Sequence, residues 1–244
     1  MNKCILDSRR KTGCSTCNVL CSHRIAMHGL NGDGGRVGAA GAPKDYRYLT
    51  LENSPAKAGQ AAIYAKLEKY VATFGRSVEP DGERIKSLYL WSENPGTGKT
   101  TTAVALMNEF IMSNYLGNLR FYRDKTPPQL PAMFFDLNAI QRTYNLASQA
   151  DDKERIKEVT AKFDKAAKVP FLVLDDVGIR SATEAFKGML HDIINYRATN
   201  SLPTIYTSNV SLDEFIRLYD ARVYDRARDK CAEIHFQGES KRGK

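Results

Sequence analysis

No run of apolar residues in this 244-residue sequence approaches the roughly 18 that a membrane-spanning helix requires. The first residues carry Lys3, Asp7, Arg9 and Arg10 where a secretory signal would have its apolar stretch, so a cytoplasmic location without membrane contact is expected. Beyond the first two dozen residues cysteine almost disappears, since Cys4, Cys14, Cys17 and Cys21 are four of the five. In a cytosolic chain such a cluster points to metal ligands rather than disulfides. Acids are in deficit, 28 against 36 lysines and arginines, which leaves a net charge of +8. That surplus suits an anionic partner such as a nucleic acid, and it also serves plain solubility. The length allows one sizeable core with a small appendage.

The chain is organised around Ser87 to Ala103, SLYLWSENPGTGKTTTA. An apolar run, Leu88 to Trp91, stops at a Gly/Pro loop that delivers Gly98-Lys99-Thr100 into a segment with helical spacing at Val104, Met107, Ile111 and Tyr115. That is strand, phosphate loop, helix. Gly96 and Gly98 let the backbone curl so that successive N–H groups face one anion, and the helix N-terminus adds to that field. Asn94, Pro95, Gly96, Thr97, Gly98, Lys99, Thr100 and Thr101 are the expected nucleotide-binding residues. Lys99 reaches the β/γ-phosphates and the Thr100 hydroxyl ligates Mg²⁺. The pattern G-x-x-x-x-G-K-[ST] lacks its first glycine, because Glu93 stands there. A carboxylate is unwelcome near a triphosphate, so its side chain is expected to point away.

A partner motif follows at Val169 to Gly178, VPFLVLDDVG. Phe171 to Leu174 reads as a strand buried on both faces, and Asp175-Asp176 sit at its carboxyl end, where open α/β sheets carry their chemistry. Asp175 is expected to hold Mg²⁺, directly or through water, and Asp176 to polarise the attacking water. Leu202 to Thr207 is a further strand, ending in Thr207-Ser208-Asn209, and Asn209 is a candidate sensor of the γ-phosphate or lytic water. Arg222 and Arg226 lie four apart on one face of an expected helix. Either they form a solvated basic face with Asp225 and Asp229, or one reaches a neighbouring subunit's ATP as an arginine finger.

Around this core the chain divides into a Cys-rich module (1–30), a flexible Gly-rich linker (31–45), a helical segment (46–83) and the nucleotide-binding domain (84–244). Cys4, Cys14, Cys17 and Cys21 can complete a tetrahedral zinc site, with His23 able to replace one thiolate. Zinc can supply roughly 10 to 16 kcal/mol of folding free energy, enough to order so short a module. NGDGGRVGAAGAPK, 31–44, is a tether by composition. Gln60 to Phe74 is an amphipathic helix. Gly117 to Pro131 reads as a polar loop in which Arg120, Phe121, Tyr122, Arg123 and Lys125 are either solvated or placed to stack on single-stranded nucleic acid.

Taken together, NPGTGKT (94–100), LVLDDVG (172–178), INYRATNSLPTIYTSN (194–209), ARVYDRAR (221–228) and HFQGESKR (235–242) resemble the DnaC/DnaI-type helicase loaders of the AAA+ class, a group that includes IstB-like transposition helpers. The likeness covers most of the span from 84 onward. It implies a three-layer P-loop AAA+ ATPase core with a parallel five-stranded sheet and no C-terminal lid, preceded by a zinc module. It implies ATP-dependent delivery of a hexameric replicative helicase onto single-stranded DNA, with self-association in the ATP-bound state. Asn209 then matches the sensor 1 position, Arg226 the arginine finger with Arg222 beside it, and Arg242 a sensor 2-like arginine. Asp176 departs from the Glu found in most AAA+ motors, and the shorter acid suits a slow switch. The competing readings are an IstB-like helper of a transposase and a non-hydrolysing zinc and nucleic-acid adaptor.

Overall fold

A computed structural model of the protein describes residues 4–9, 18–178, 182–219, 231–238 and 240. In chain order its regular elements are α1 (Ser22–His28), α2 (Gly35–Ala39), α3 (Ala61–Val71), β1 (Ser87–Trp91), α4 (Lys99–Phe121), β2 (Ala132–Asp136), α5 (Leu137–Gln149), α6 (Lys153–Lys168), β3 (Phe171–Val177), α7 (Glu184–Thr199), β4 (Thr204–Ser208), α8 (Leu212–Tyr219) and β5 (Cys231–His235). They fall into two units, one of Met1–Ile85 with Thr101–Phe134, the other of Lys86–Thr100 with Phe135–Lys244.

The strands form one sheet in the order β2-β3-β4-β1-β5, and the pairings β3 with β4, β4 with β1 and β1 with β5 are all parallel. A central parallel strand is covered on both faces, which is why Phe171 to Leu174 run apolar without alternation and are completely buried. Short polar side chains start the helices of the second unit. Asp136 caps α5 by accepting from Ala139 N, Asp152 caps α6 from Arg155 N, and Thr183 caps α7 from Phe186 N. Phe135, Phe163 and Phe186 meet edge to face, with centroids 5.0 and 5.5 Å apart.

In the first unit the expected Gly-rich linker is folded. Residues 31–45 contain α2 and bury Val37, Ala40 and Ala42. Glycine there serves close packing rather than freedom: a Cβ on Gly35 would lie 2.4 Å from the Met27 carbonyl carbon, and its φ is +62°. Arg36, read as part of the tether, is buried and donates to the carbonyls of Ala26, Pro127 and Pro128 at 2.7 to 2.9 Å while lying over the Tyr115 ring. Burial lowers its pKa from the usual guanidinium value. The loop expected from Gly117 also begins later, because α4 runs to Phe121. Gly117 is inside the helix where Val78 packs, and a Cβ would come within 2.8 Å of that side chain.

The least sequence-visible support of the second unit is Arg197, which is fully buried on α7. Its guanidinium donates to the carbonyls of Ala166, Ala167, Val169 and Pro203 and to the Thr204 hydroxyl, holding the end of α6 and the start of β4. Arg197→Ala strands those buried acceptors and opens a void, so it is expected to reduce unfolding free energy by about 3 kcal/mol. Urea denaturation of the full chain measures this, and a midpoint equal to wild type would show that the carbonyls find other donors.

Candidate functional site

The register of the sheet brings three strand ends together. Leu90 pairs with Thr207 and Trp91 with Ser208, so the exits of β1 and β4 are level, and β3 lies on the other side of β4. Beyond β1 the loop turns through Gly96 at φ +75° and Gly98 at φ +99°, a backbone region that other residues enter at a cost. Lys99 opens α4 and is buried, and its ammonium donates to the carbonyls of Ser92 at 3.3 Å and Asn94 at 3.1 Å. Thr100 and Thr101 follow in the first turn.

The two acids do not leave β3 as a regular strand would. Between Leu174 and Val177 the pairing shifts, so that three steps of β3 face two steps of β4, from Tyr206 to Ser208. This is a β-bulge, a device that re-aims side chains next to functional sites. Asp176 takes φ +61°, a left-handed conformation that aspartate tolerates better than most residues. Opposite the bulge the Thr207 hydroxyl donates to Asp175 Oδ1 at 2.6 Å and accepts from Asp176 N at 2.9 Å. Thr207 therefore fixes both acids, and it was not among the residues expected to matter.

Asp175 is buried and also accepts from the Thr100 hydroxyl. Burial pushes its carboxyl up to about 6 against the pull of Thr207 and Thr100, with Asp176 and Asp136 pushing the same way. A buried acid beside two hydroxyls is a set of hard oxygen donors suited to a divalent cation. The positive-φ glycines and Lys99 likewise fit a phosphate chain. The structure thus supplies residues of the right kind for a nucleotide and Mg²⁺.

Asn209 Nδ2 donates to Asp176 Oδ1 at 3.3 Å. The other oxygen accepts from Asn138 Nδ2, in the first turn of α5, a residue that sequence reasoning missed. The hint in sequence was a polar side chain two residues beyond the end of β2. Glu93 faces away from the loop interior, its Oε2 lying 2.9 Å from His235 Nε2.

Arg222, Arg226 and Arg242 lie outside the described residues, as do Cys14 and Cys17. Of the expected zinc ligands, Cys4 is buried and Cys21 precedes α1, and both raise the Tyr115 hydroxyl electrostatically, though less than burial does. His23 Nδ1 lies 2.9 Å from that hydroxyl. Among the described residues no group of three or more His, Cys, Asp or Glu side chains is placed to hold a metal.

No family model matches the chain. Among curated proteins it is similar to the replicative helicase loader DnaC of Escherichia coli K12, 22% identical over 170 residues that cover 70% of this chain and 58% of that protein. The replicative helicase loader DnaI of Bacillus subtilis 168 is 25% identical over 188 residues, 71% of this chain and 53% of that one. The chain thus spans just over half the length of the curated relatives it matches. Among solved structures, DnaI superposes with a TM-score of 0.56 at 23% identity, covering 83% of this chain and 95% of that one. The DnaC helicase loader gives 0.56 at 19%, covering 80% and 100%. The initiator DnaA bound to AMPPCP and single-stranded DNA gives 0.54 at 16%, covering 81% and 51%. Sequence and fold therefore both resemble the DnaC/DnaI-type loaders, and the core has the P-loop NTPase fold.

The raised Asp175 carboxyl has a stability consequence. Because the folded state holds the proton more tightly than the unfolded chain, this group favours folding fully below pH 3.8 and loses that contribution as pH rises through about 6. The difference is about 3 kcal/mol. Asp175→Asn is expected to raise the melting temperature of the nucleotide-free protein at pH 8 and to give no advantage at pH 4. A variant less stable than wild type at pH 8 would contradict this.

Proposed function

We propose that this protein is an ATP-dependent loader of a ring-shaped replicative helicase, delivering it to single-stranded DNA at replication initiation. The observation that carries the reading is the alignment of the phosphate loop after β1, the Asp175-Asp176 bulge of β3 and the Thr207–Asn209 exit of β4 at one sheet edge. The similarity to proteins named DnaC and DnaI supplies the biological role. The surplus of basic residues supports an anionic partner.

In this reading Lys99 gives up its loop carbonyls for the β/γ-phosphates, and Thr100 and Asp175 hold the cation. Mg²⁺, when bound, neutralises charge developing on the phosphate oxygens. Asp176 orients the attacking water and accepts its proton, while Asn138 and Asn209 hold the carboxylate in place. Asn209 links that carboxylate to the exit of β4, which suits a sensor of nucleotide state. Arg226 or Arg222 acts on a neighbouring copy's ATP when the protein self-associates, and Arg242 serves as a sensor 2-like arginine, as the resemblance to the loaders implies. ATP binding sets the state that grips helicase and DNA, and hydrolysis releases the helicase. An IstB-like role would pair the same nucleotide site with a transposase instead of a helicase.

Lys99→Ala is expected to abolish ATP binding and with it ATP-dependent co-elution with a replicative helicase, leaving the fold intact by circular dichroism. Normal hydrolysis by this variant would refute the site. Capture of a transposase in place of a helicase would move the protein to the IstB-like role.

A zinc module at the N-terminus is part of the proposal, supported by the clustering of four cysteines and by the approach of both Cys4 and Cys21 to Tyr115. Metal analysis of the full chain is expected to find about one zinc per molecule, lost in Cys14→Ser with Cys17→Ser. A metal-free wild-type protein would return the cysteines to a structural role.

A further inference from the structure

Glu93 occupies the position where the phosphate-loop pattern asks for glycine. It lies within electrostatic reach of Lys99, the ammonium that would meet the phosphates. An acid there competes with the ligand for that charge. Yet the carboxylate is turned to β5, where its Oε2 is 2.9 Å from His235 Nε2. Its acidity is strengthened first by its own backbone N–H, next by His235, and least by Lys99.

His235 is itself held. It pairs with Trp91 in the β1–β5 register, and its ring lies flat on the indole with centroids 4.0 Å apart and planes 10° from parallel. The next residue, Phe236, is completely buried and donates its N–H to the Trp91 carbonyl at 2.7 Å. Two residues further on, the Gly238 carbonyl accepts from Asn94 Nδ2 at 3.0 Å. The first two residues of the phosphate loop are thus both tied to the stretch that leaves β5, and the Asn94 carbonyl in turn accepts from Lys99.

We infer that His235 is a positioning residue for nucleotide binding: it holds the Glu93 carboxylate against β5 and so keeps Lys99 available to the phosphates. The inference rests on the nucleotide reading of the loop. It accounts for an acid at the glycine position, since the cost of Glu93 is removed by a partner on another strand. The pair is partly exposed, with His235 37% and Glu93 66% accessible, so the effect is no larger than that of surface ion pairs.

Binding of a fluorescent ATP analogue to the full chain, with ATPase rates at saturation, tests it. His235→Ala is expected to weaken binding about fivefold and raise KM without changing kcat. His235→Gln, which keeps a donor, binds as wild type does. Glu93→Gly binds at least as tightly as wild type, and adding it to His235→Ala restores full affinity, a rescue that a merely structural histidine would not allow. Circular dichroism of each variant checks that the fold is retained. Unchanged affinity in His235→Ala, or a double variant as weak as His235→Ala alone, would overturn the inference. A wild-type chain that bound no nucleotide would remove the functional reading and this inference with it.

Discussion

The hydroxyl of Thr207 is the contact on which the candidate site depends. It donates to Asp175 and accepts from the backbone of Asp176, and so ties both acids to β4 across the bulge. In a regular strand neighbouring side chains face opposite ways. A one-residue bulge with a left-handed Asp176 interrupts that alternation. The local strain is of the order of 1 kcal/mol or more, and a hydroxyl bonded on both sides helps to offset it.

The strand, loop and helix around Lys99 were readable from sequence because each depends on neighbours. An apolar run ends where small residues begin, and glycine appears where φ is positive. The buried strand ending in two acids was readable for the same reason. Thr207 and Asn138 were not, since their partners lie 31 and 38 residues away and nothing local marks them. The bulge itself leaves no trace in the pattern of Phe171 to Val177, because two adjacent acids at a strand end look the same with or without an extra residue.

The glycine-rich stretch 31–45 misled for a physical reason. Composition cannot distinguish glycine that loosens a chain from glycine that lets two backbones touch, and Gly35 is of the second kind. Two charged side chains of the first unit are buried: Arg36, within the expected tether, lies among carbonyls, and Glu109 lies between Arg9 and the Leu51 N–H. Buried charges of this type are stable only when each polar atom has a partner, and those partners come from distant segments.

Under the nucleotide reading, the identity of residue 176 bears on rate. Aspartate is one methylene shorter than the glutamate used by most AAA+ motors, and here it sits on a bulge rather than on a regular strand. The carboxylate then meets amide donors from two separate elements, Asn138 of α5 and Asn209 after β4. A water approaching it must share oxygens already engaged, so positioning is firm while access is restricted. The Asp175 carboxyl adds a second constraint, because its burial makes the site without a cation the less stable one at neutral pH. Both features favour a protein whose behaviour is set by whether the nucleotide and its metal are bound. Under the loader reading, slow hydrolysis then marks when the grip is released.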